Sequence, residues 1–461
     1  MKQDKVIGKY LESYACKEAS QALVCMSQDC ISQDRNYEFS IGVPAFDERP
    51  GFIETVLPTF HAATLLILVV NRPKGSVDNA NNRALMRMIT SRSKLLASSD
   101  NLALYRFAQR GDILLVDRSG EGRQIPRHQG VGMARKIAAD IALALHARKQ
   151  IASPWLCATD ADAELPAGYF DTVQRLPDAA ACVFPFYHHA DSNVDVQTVQ
   201  STRLYENKIR AYVRGLEFAG SPYAYHTIGS TLCVNAWHYA AVRGYPPRSA
   251  GEDFYLLNKL RKTGDIISLA NPAIALRARR STRTPFGTGA SVAMLADACD
   301  PDAAIFYHPV LFVCLRALLA AFDALAAQRS DRDRRAAAGD WGKLLLELLE
   351  QGTLRTQLAL LREEQIAWER VAATMLAALE KSGFARALTH CDTQAKNPAQ
   401  YRRQLHNWFD AFRSLRWLHE LRGSGSAFAN VGEAQNNAIW DRLASLETRQ
   451  QYACGRLPAL G

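Results

Sequence analysis

The chain has 461 residues, too many for one ordinary hydrophobic core, so two domains or one domain with a large appendage is expected. Hydrophobic residues at 48% and charged residues at 22% are those of a soluble globular protein and exclude intrinsic disorder as its organising principle. The formal charge of +9 suits phosphate-bearing ligands or an anionic membrane surface. No Lys/Arg-rich block interleaved with aromatics accompanies it, so nucleic acid is not an expected partner.

In chain order, residues 1–37 read as an N-terminal extension of one or two short helices. Met1–Ser13 contains no apolar stretch of the kind a secretory leader needs, so a cytoplasmic location is expected. From Glu38 short β-rich runs alternate with amphipathic helical patterns, the signature of a largely parallel sheet. Strands are expected at Glu38–Pro44, Thr64–Asn71, Asp112–Asp117, Trp155–Ala158, Ala180–Phe184, Thr231–Asn235, Ile266–Leu269 and Ala273–Arg277. Helices are expected at Asn81–Leu96, Val131–Ala147, Val194–Phe218 and Glu252–Lys262.

The domain so outlined covers 38–299, and an all-helical region packed on it covers 300–461. Its first segment, Ala303–Ala327, is apolar but broken by His308, Pro309, Arg316 and Asp323. It reads as a buried or interfacial helix rather than a membrane span, and peripheral contact with the inner face of a membrane is the variant reading. Further helical faces are expected from Leu344, Leu345, Leu348 and Leu349, from Leu358, Leu361, Ile366 and Trp368, and over Pro398–Leu421 and Glu433–Gln450. The ten cysteines show neither a CxxC nor a zinc-like spacing. Cys157, Cys182, Cys233 and Cys314 lie inside apolar runs, which points to reduced core thiols. His226, His238 and His308 read as ordinary packed or surface histidines.

The sharpest chemical signal is Thr159–Pro166, where Asp160 and Asp162 directly follow an apolar strand. Ligands of open α/β sheets bind outside the carboxyl ends of the strands. Hard oxygen ligands there suit Mg²⁺ or Mn²⁺ bridging two phosphates of a nucleoside diphosphate. A capping turn with no metal is the plain alternative. Glu252 and Asp253 open an amphipathic helix, where acidic residues favour the helix dipole, yet a carboxylate at such an entry can also accept the proton of an attacking hydroxyl.

Two more fragments carry weight. Ile41–Leu57 is a strand ending in a proline-containing turn with Phe46 and Glu48, and Gly130–Leu143 is a glycine-containing helix entry bearing Arg135 and Lys136. The latter lacks the third glycine of a dinucleotide fingerprint, and no P-loop pattern is present. Arg279, Arg280 and Arg283 form a basic loop suited to clamping a diphosphate or an acidic acceptor, with solvated surface arginines as the alternative. The polar loop Asp117–Gly130 reads either as a lid that closes over a ligand or as a plain surface loop.

Together the four fragments resemble family-2 glycosyltransferases of the GT-A fold over about residues 38–285. Val43, Pro44, Phe46 and Glu48 match the turn after the first strand, and Gly130, Ala134 and Arg135 match the helix lining the donor site, with Lys136 where asparagine is usual. Asp160-Ala161-Asp162 matches the DxD, and Arg243-Gly244-Tyr245-Pro246 through Glu252-Asp253 matches the later segment that supplies the base. Asn71-Arg72-Pro73-Lys74 departs from the pattern, because no carboxylate that would read a uracil base appears before Asp78, and the family's QxxRW motif is missing after Glu252-Asp253.

The resemblance implies a Rossmann-like α/β domain and a glycosyltransferase using a nucleotide-sugar donor. Asp160 and Asp162 would hold Mn²⁺ or Mg²⁺ on the diphosphate, and Asp253 would act as base with Glu252 beside it. Pro44, Phe46, Glu48, Arg135, Asp160, Arg279 and Arg283 would line the donor site. The acceptor stays open among a saccharide, a lipid-linked molecule and a small molecule. The competing readings are a catalytically silent sugar-nucleotide-binding or scaffold protein and a sugar nucleotidyltransferase. The latter needs a Gly-rich loop straight after the first strand, where only Gly51 stands.

Overall fold

The computed structural model describes residues 2–27, 36–56, 63–77, 79–107, 111–281, 283, 287–298, 300, 302–328, 341–351, 367–425 and 428–453. It is an α/β protein with a mixed, largely parallel central sheet and a helical C-terminal region. The chain divides into two compact units, Met1–Arg203 with Tyr225–Cys299, and Leu204–Ala224 with Asp300–Gly461.

The first unit begins with helices α1 (Lys2–Ser13) and α2 (Lys17–Met26). Its strands are β1 (Phe39–Ala45), β2 (Thr64–Asn71), β3 (Ser93–Ser99), β4 (Leu102–Phe107), β5 (Asp112–Arg118), β6 (Trp155–Ala158), β7 (Ala163–Glu164), β8 (Ala181–Val183), β9 (Phe186–His189), β10 (Leu232–Asn235), β11 (Ile266–Ser268) and β12 (Ile274–Arg277). Helices α3 (Phe52–Val56), α4 (Ala80–Arg92), α5 (Gly130–Ala147), α6 (Tyr169–Gln174), α7 (Val196–Phe218), α8 (Ala236–Ala241), α9 (Glu252–Leu260) and α10 (Thr288–Ala298) connect them. Helix α7 passes from the first unit into the second at Leu204.

Nine strands form the main sheet in the order β11-β8-β10-β6-β1-β2-β5-β4-β3, and β7, β12 and β9 form a small second one. The run β6-β1-β2-β5 is parallel. A parallel strand covered on both faces must be apolar throughout, and every residue of β2 is buried accordingly. Helix α5 is buried from Ala134 to Leu145, where small and aliphatic residues surround three buried charges, Arg135, Lys136 and Asp140, each of which is ion-paired. At Gly42 of β1 an added Cβ would lie 2.7 Å from the Ala138 Cβ, so only glycine permits this approach of α5 to the sheet.

All eight expected strands are present, with ends within about two residues. The expected helix Asn81–Leu96 stops at Arg92, and the chain turns into the hairpin β3–β4. Asp100, at φ 51°, makes the connecting turn, a left-handed conformation that Asp tolerates better than most residues. Lys94 and Leu95 are exposed on this edge strand, so Leu95 and Leu96 do not extend the apolar face of α4 as their spacing implies.

The second unit is built of helices around α11 (Val310–Ala327). With a mean hydropathy of 2.1 this helix is long and apolar enough to cross a membrane, yet 67% of it is buried, by helices of its own unit. Leu216 of α7, Leu345 and Leu349 of Trp341–Gln351, and Trp417 and Leu421 of Ala411–Gly423 belong to the same core. The expected helix Pro398–Leu421 is two helices, Pro398–Trp408 and Ala411–Gly423. Asp410 separates them because its side chain caps the second, accepting from the Arg413 amide. Leu358, Leu361 and Ile366 lie outside the described residues. The seven described cysteines are free thiols.

Candidate active site

The chain leaves β1 for β2 on one side and returns through α5 to β6 on the other. The carboxyl ends of β1 and β6 therefore flank the point where the strand order reverses, the crevice where open α/β sheets bind ligands. Residues from five segments meet there.

The first is the turn after β1. Asp47 stands at φ 57°, and its amide donates to Asn82 Oδ1 at 3.0 Å while Asn81 donates to its carboxylate at 2.7 Å. This strained turn, tied to the start of α4, carries Glu48. Its carboxylate takes a two-pronged contact from Arg279 at 2.9 and 3.0 Å and a further one from Arg283 at 2.5 Å. Arg283 also donates to the Phe46 carbonyl at 2.6 Å. Pro44 sits in the penultimate position of β1 and, like Phe46, is half-buried.

Behind β6, Asp162 receives the same guanidinium: Arg279 Nη2 reaches Asp162 Oδ2 at 2.6 Å. Asp160 pairs instead with Arg135 of α5 at 2.5 Å, and the other prong of Arg135 bonds Glu252, the first residue of α9. Small residues bring these helices together. A Cβ at Gly132 would lie 2.7 Å from backbone atoms of Pro246 and Arg248, and one at Gly130 would lie 2.6 Å from the Ser249 Cα. A Cβ at Gly229 would collide with the Arg135 guanidinium itself. Arg135 is thus 7% exposed and boxed in, while Arg279, two residues beyond β12, is 34% exposed.

Five carboxylates, Glu48, Asp160, Asp162, Glu252 and Asp253, face three guanidiniums, Arg135, Arg279 and Arg283. Burial pushes the Asp253 carboxyl up to about 7, and the Glu252 charge adds to this against the opposing pull of Arg135 and the Phe254 amide. Asp162 is also raised, by burial first and by Asp160 and Glu48, with Arg279 opposing. For Arg135 burial works against the charge, but Asp160 and Glu252 outweigh it and hold the guanidinium firmly protonated. The hydroxyl of Tyr245, 3% exposed, makes no hydrogen bond among the described residues and lines a small cavity with Arg135, Gly42 and Cys157.

Other expected participants lie elsewhere. Arg280 turns away to Asp195, Thr198 and Asp297. Lys136 points into a buried cluster, bonding Asp140 at 2.9 Å and the Tyr10 hydroxyl at 2.6 Å. The loop Asp117–Gly130 is stitched down rather than free: the Lys74 amide donates to the Ile125 carbonyl at 2.7 Å, the Ile125 amide donates to the Arg72 carbonyl at 3.0 Å, and the Arg72 side chain donates to the Ser119 carbonyl at 2.9 Å. Asp78 lies outside the described residues. His226 packs edge-on against Phe186, His238 bonds Thr263, and His308 is buried against the start of α11.

Sequence reasoning missed Gly229, Asp47 and Tyr245 as parts of the site. Gly244-Tyr245 stood within a matched segment, but nothing local marks Gly229, whose role depends on a guanidinium from α5.

Among the described residues no group of three or more His, Cys, Asp or Glu side chains is arranged to hold a metal ion. Asp160 and Asp162 nonetheless fit one type of site. Mg²⁺ is commonly bound by one or two carboxylates with substrate phosphates completing the shell, and Asp160 Oδ2 and Asp162 Oδ1 make no hydrogen bond to another described residue. The fold and the site define an α/β protein with a carboxylate–arginine cluster at the switch point of its sheet. No protein-family model matches the chain, and no curated protein matches it.

Proposed function

We propose that the protein is a glycosyltransferase of GT-A type, moving a sugar from a nucleotide-sugar donor to an acceptor hydroxyl with inversion at the anomeric carbon. The observation that supports this is the gathering of Glu48, Asp160, Asp162, Glu252 and Asp253 with three arginines at the reversal of strand order. Asp253, with its carboxyl near 7, is the base: it takes the acceptor proton as the acceptor oxygen bonds the anomeric carbon and the bond to the diphosphate breaks. A base poised near the working pH is the efficient choice for such a transfer. Arg135 is the positioning residue, joining Asp160 to Glu252 and hence the two carboxylate pairs to each other. Arg279 and Arg283 carry positive charge to the diphosphate side. Asp160 and Asp162 would hold Mn²⁺ or Mg²⁺, which would supply neutralisation of the charge on a leaving nucleoside diphosphate.

The test is a panel of nucleotide-sugars scored for released nucleoside diphosphate, with and without EDTA. Release is expected from one donor group, lost in EDTA and lost in Asp162→Ala with little change in thermal unfolding. Full turnover in excess EDTA overturns the metal claim. Tight binding of a nucleotide-sugar with no turnover under any condition would make this a binding protein instead.

A further inference from the structure

We infer that Arg279 is a displaceable internal cation that holds Asp162 and Glu48 together in the free protein and is released to the donor diphosphate when a divalent ion takes Asp162. The inference rests on the glycosyl-transfer reading above and adds a coupling between metal and donor that the reading alone does not contain.

The geometry separates two arginines with different freedom. Arg135 is 7% exposed, lies against Gly229 where not even a methyl group fits, and is held at both prongs by Asp160 and Glu252. Arg279 is 34% exposed and stands on a segment that has left β12, the Ala278 amide making the last sheet-like bond, to His189 at 2.7 Å. A single nitrogen of Arg279, Nη2, serves both Asp162 at 2.6 Å and Glu48 at 2.9 Å. A guanidinium shared in this way neutralises two carboxylates incompletely, and a doubly charged ion on Asp162 does so better. Arg283 stays on Glu48 and on the Phe46 carbonyl, so Glu48 is not left without a cation when Arg279 departs. A planar guanidinium suits the two-pronged capture of a phosphate.

Two consequences follow from linkage. Mn²⁺ alone binds weakly, because it must evict Arg279, and a nucleoside diphosphate that accepts Arg279 strengthens Mn²⁺ binding by the same factor by which Mn²⁺ strengthens nucleotide binding.

The experiment measures Mn²⁺ binding to the full chain by calorimetry or water-proton relaxation, alone and with uridine or guanosine diphosphate. It compares wild type, Arg279→Gln, Arg279→Lys and Arg280→Gln, with thermal unfolding as a check on folding. In wild type the diphosphate should tighten Mn²⁺ by about tenfold or more, within the usual range of such couplings. Arg279→Gln should bind Mn²⁺ alone about tenfold tighter than wild type and lose most of the coupling. Arg279→Lys should fall between, and Arg280→Gln should behave as wild type. Equal Mn²⁺ affinity in wild type and Arg279→Gln overturns the inference while leaving the metal site standing. Absence of Mn²⁺ binding in every variant, with and without nucleotide, overturns the metal reading itself.

Discussion

Arg135 and Lys136 are neighbours on α5, yet they serve two networks of opposite character. Adjacent residues on a helix point about 100° apart, so the pair divides between the sheet's carboxyl edge and the helix-covered interior. On the interior side Asp140, fully buried, accepts from Lys136, from the hydroxyls of Tyr10 and Tyr239, and from the Cys16 amide. One carboxylate meets one cation and three neutral donors, and the charge closes. On the edge side five carboxylates meet three guanidiniums, and two of the acids, Asp162 and Asp253, are pushed upward by burial first and by their acidic neighbours second. A satisfied buried network fixes geometry, here docking α1, α2 and α8 on α5. An unbalanced one leaves a demand for a further cation, as the proposed donor site requires.

The comparison is broken most strongly at its closed side. Asp140→Ala leaves the Lys136 ammonium buried without its counter-ion, and breaking such a pair costs about 3–5 kcal/mol. Denaturant unfolding should show that loss. If stability is unchanged, the network is not what seats the N-terminal helices.

On the open side the ordering reverses, with activity falling while stability holds or rises. Asp253→Asn should cut turnover about 10²-fold or more, the scale of a lost general base. The carboxyl of Asp253 is raised from its ordinary value to about 7 in the folded protein, so the folded state holds this proton more tightly than the unfolded chain. Its contribution to stability is present at low pH and is lost as pH rises through about 7. Asp253→Asn should therefore lose less stability than wild type between pH 5 and pH 8. Wild-type kcat/KM should climb through the same range. Normal turnover at saturating donor with collapsed donor affinity would assign Asp253 to binding.

A smaller effect tests the link between the two carboxylate pairs. Gly229→Ala forces the Arg135 guanidinium to shift, at a cost of about 1–3 kcal/mol for an overpacked interior. Turnover should drop with it, and Gly229→Ser should be no better. An active, fully stable Gly229→Ala variant would show that Arg135 is free to move. The smallest effect is expected at Arg280, which lies among Asp195, Thr198 and Asp297 rather than in the cluster. Arg280→Gln should leave turnover unchanged, and a large loss would return that residue to the site.

What was legible in the sequence is what local physics dictates. Buried parallel strands must be continuous apolar runs, so Thr64–Asn71 and Trp155–Ala158 declared themselves with their observed ends. Asp160 and Asp162 after one strand, Glu48 after another, and Glu252 and Asp253 opening a helix were visible as carboxylates at element ends, because chain polarity alone places strand ends at an edge. Where local spacing and long-range pairing disagreed, pairing prevailed: Leu95 and Leu96 continue a helical pattern but belong to a hairpin whose ladder with β5 outweighs it. The partners of the charges were not legible at all. Arg135 and Glu252 are 117 positions apart and Glu48 and Arg279 are 231 apart, so only the assembled sheet decides that they meet. The same holds for Gly229, which is small because of a side chain that the fold delivers from α5. Residue type and element ends are set by short-range sterics and solvation, whereas charge pairing is a property of three-dimensional distance, and only the tertiary structure supplies that.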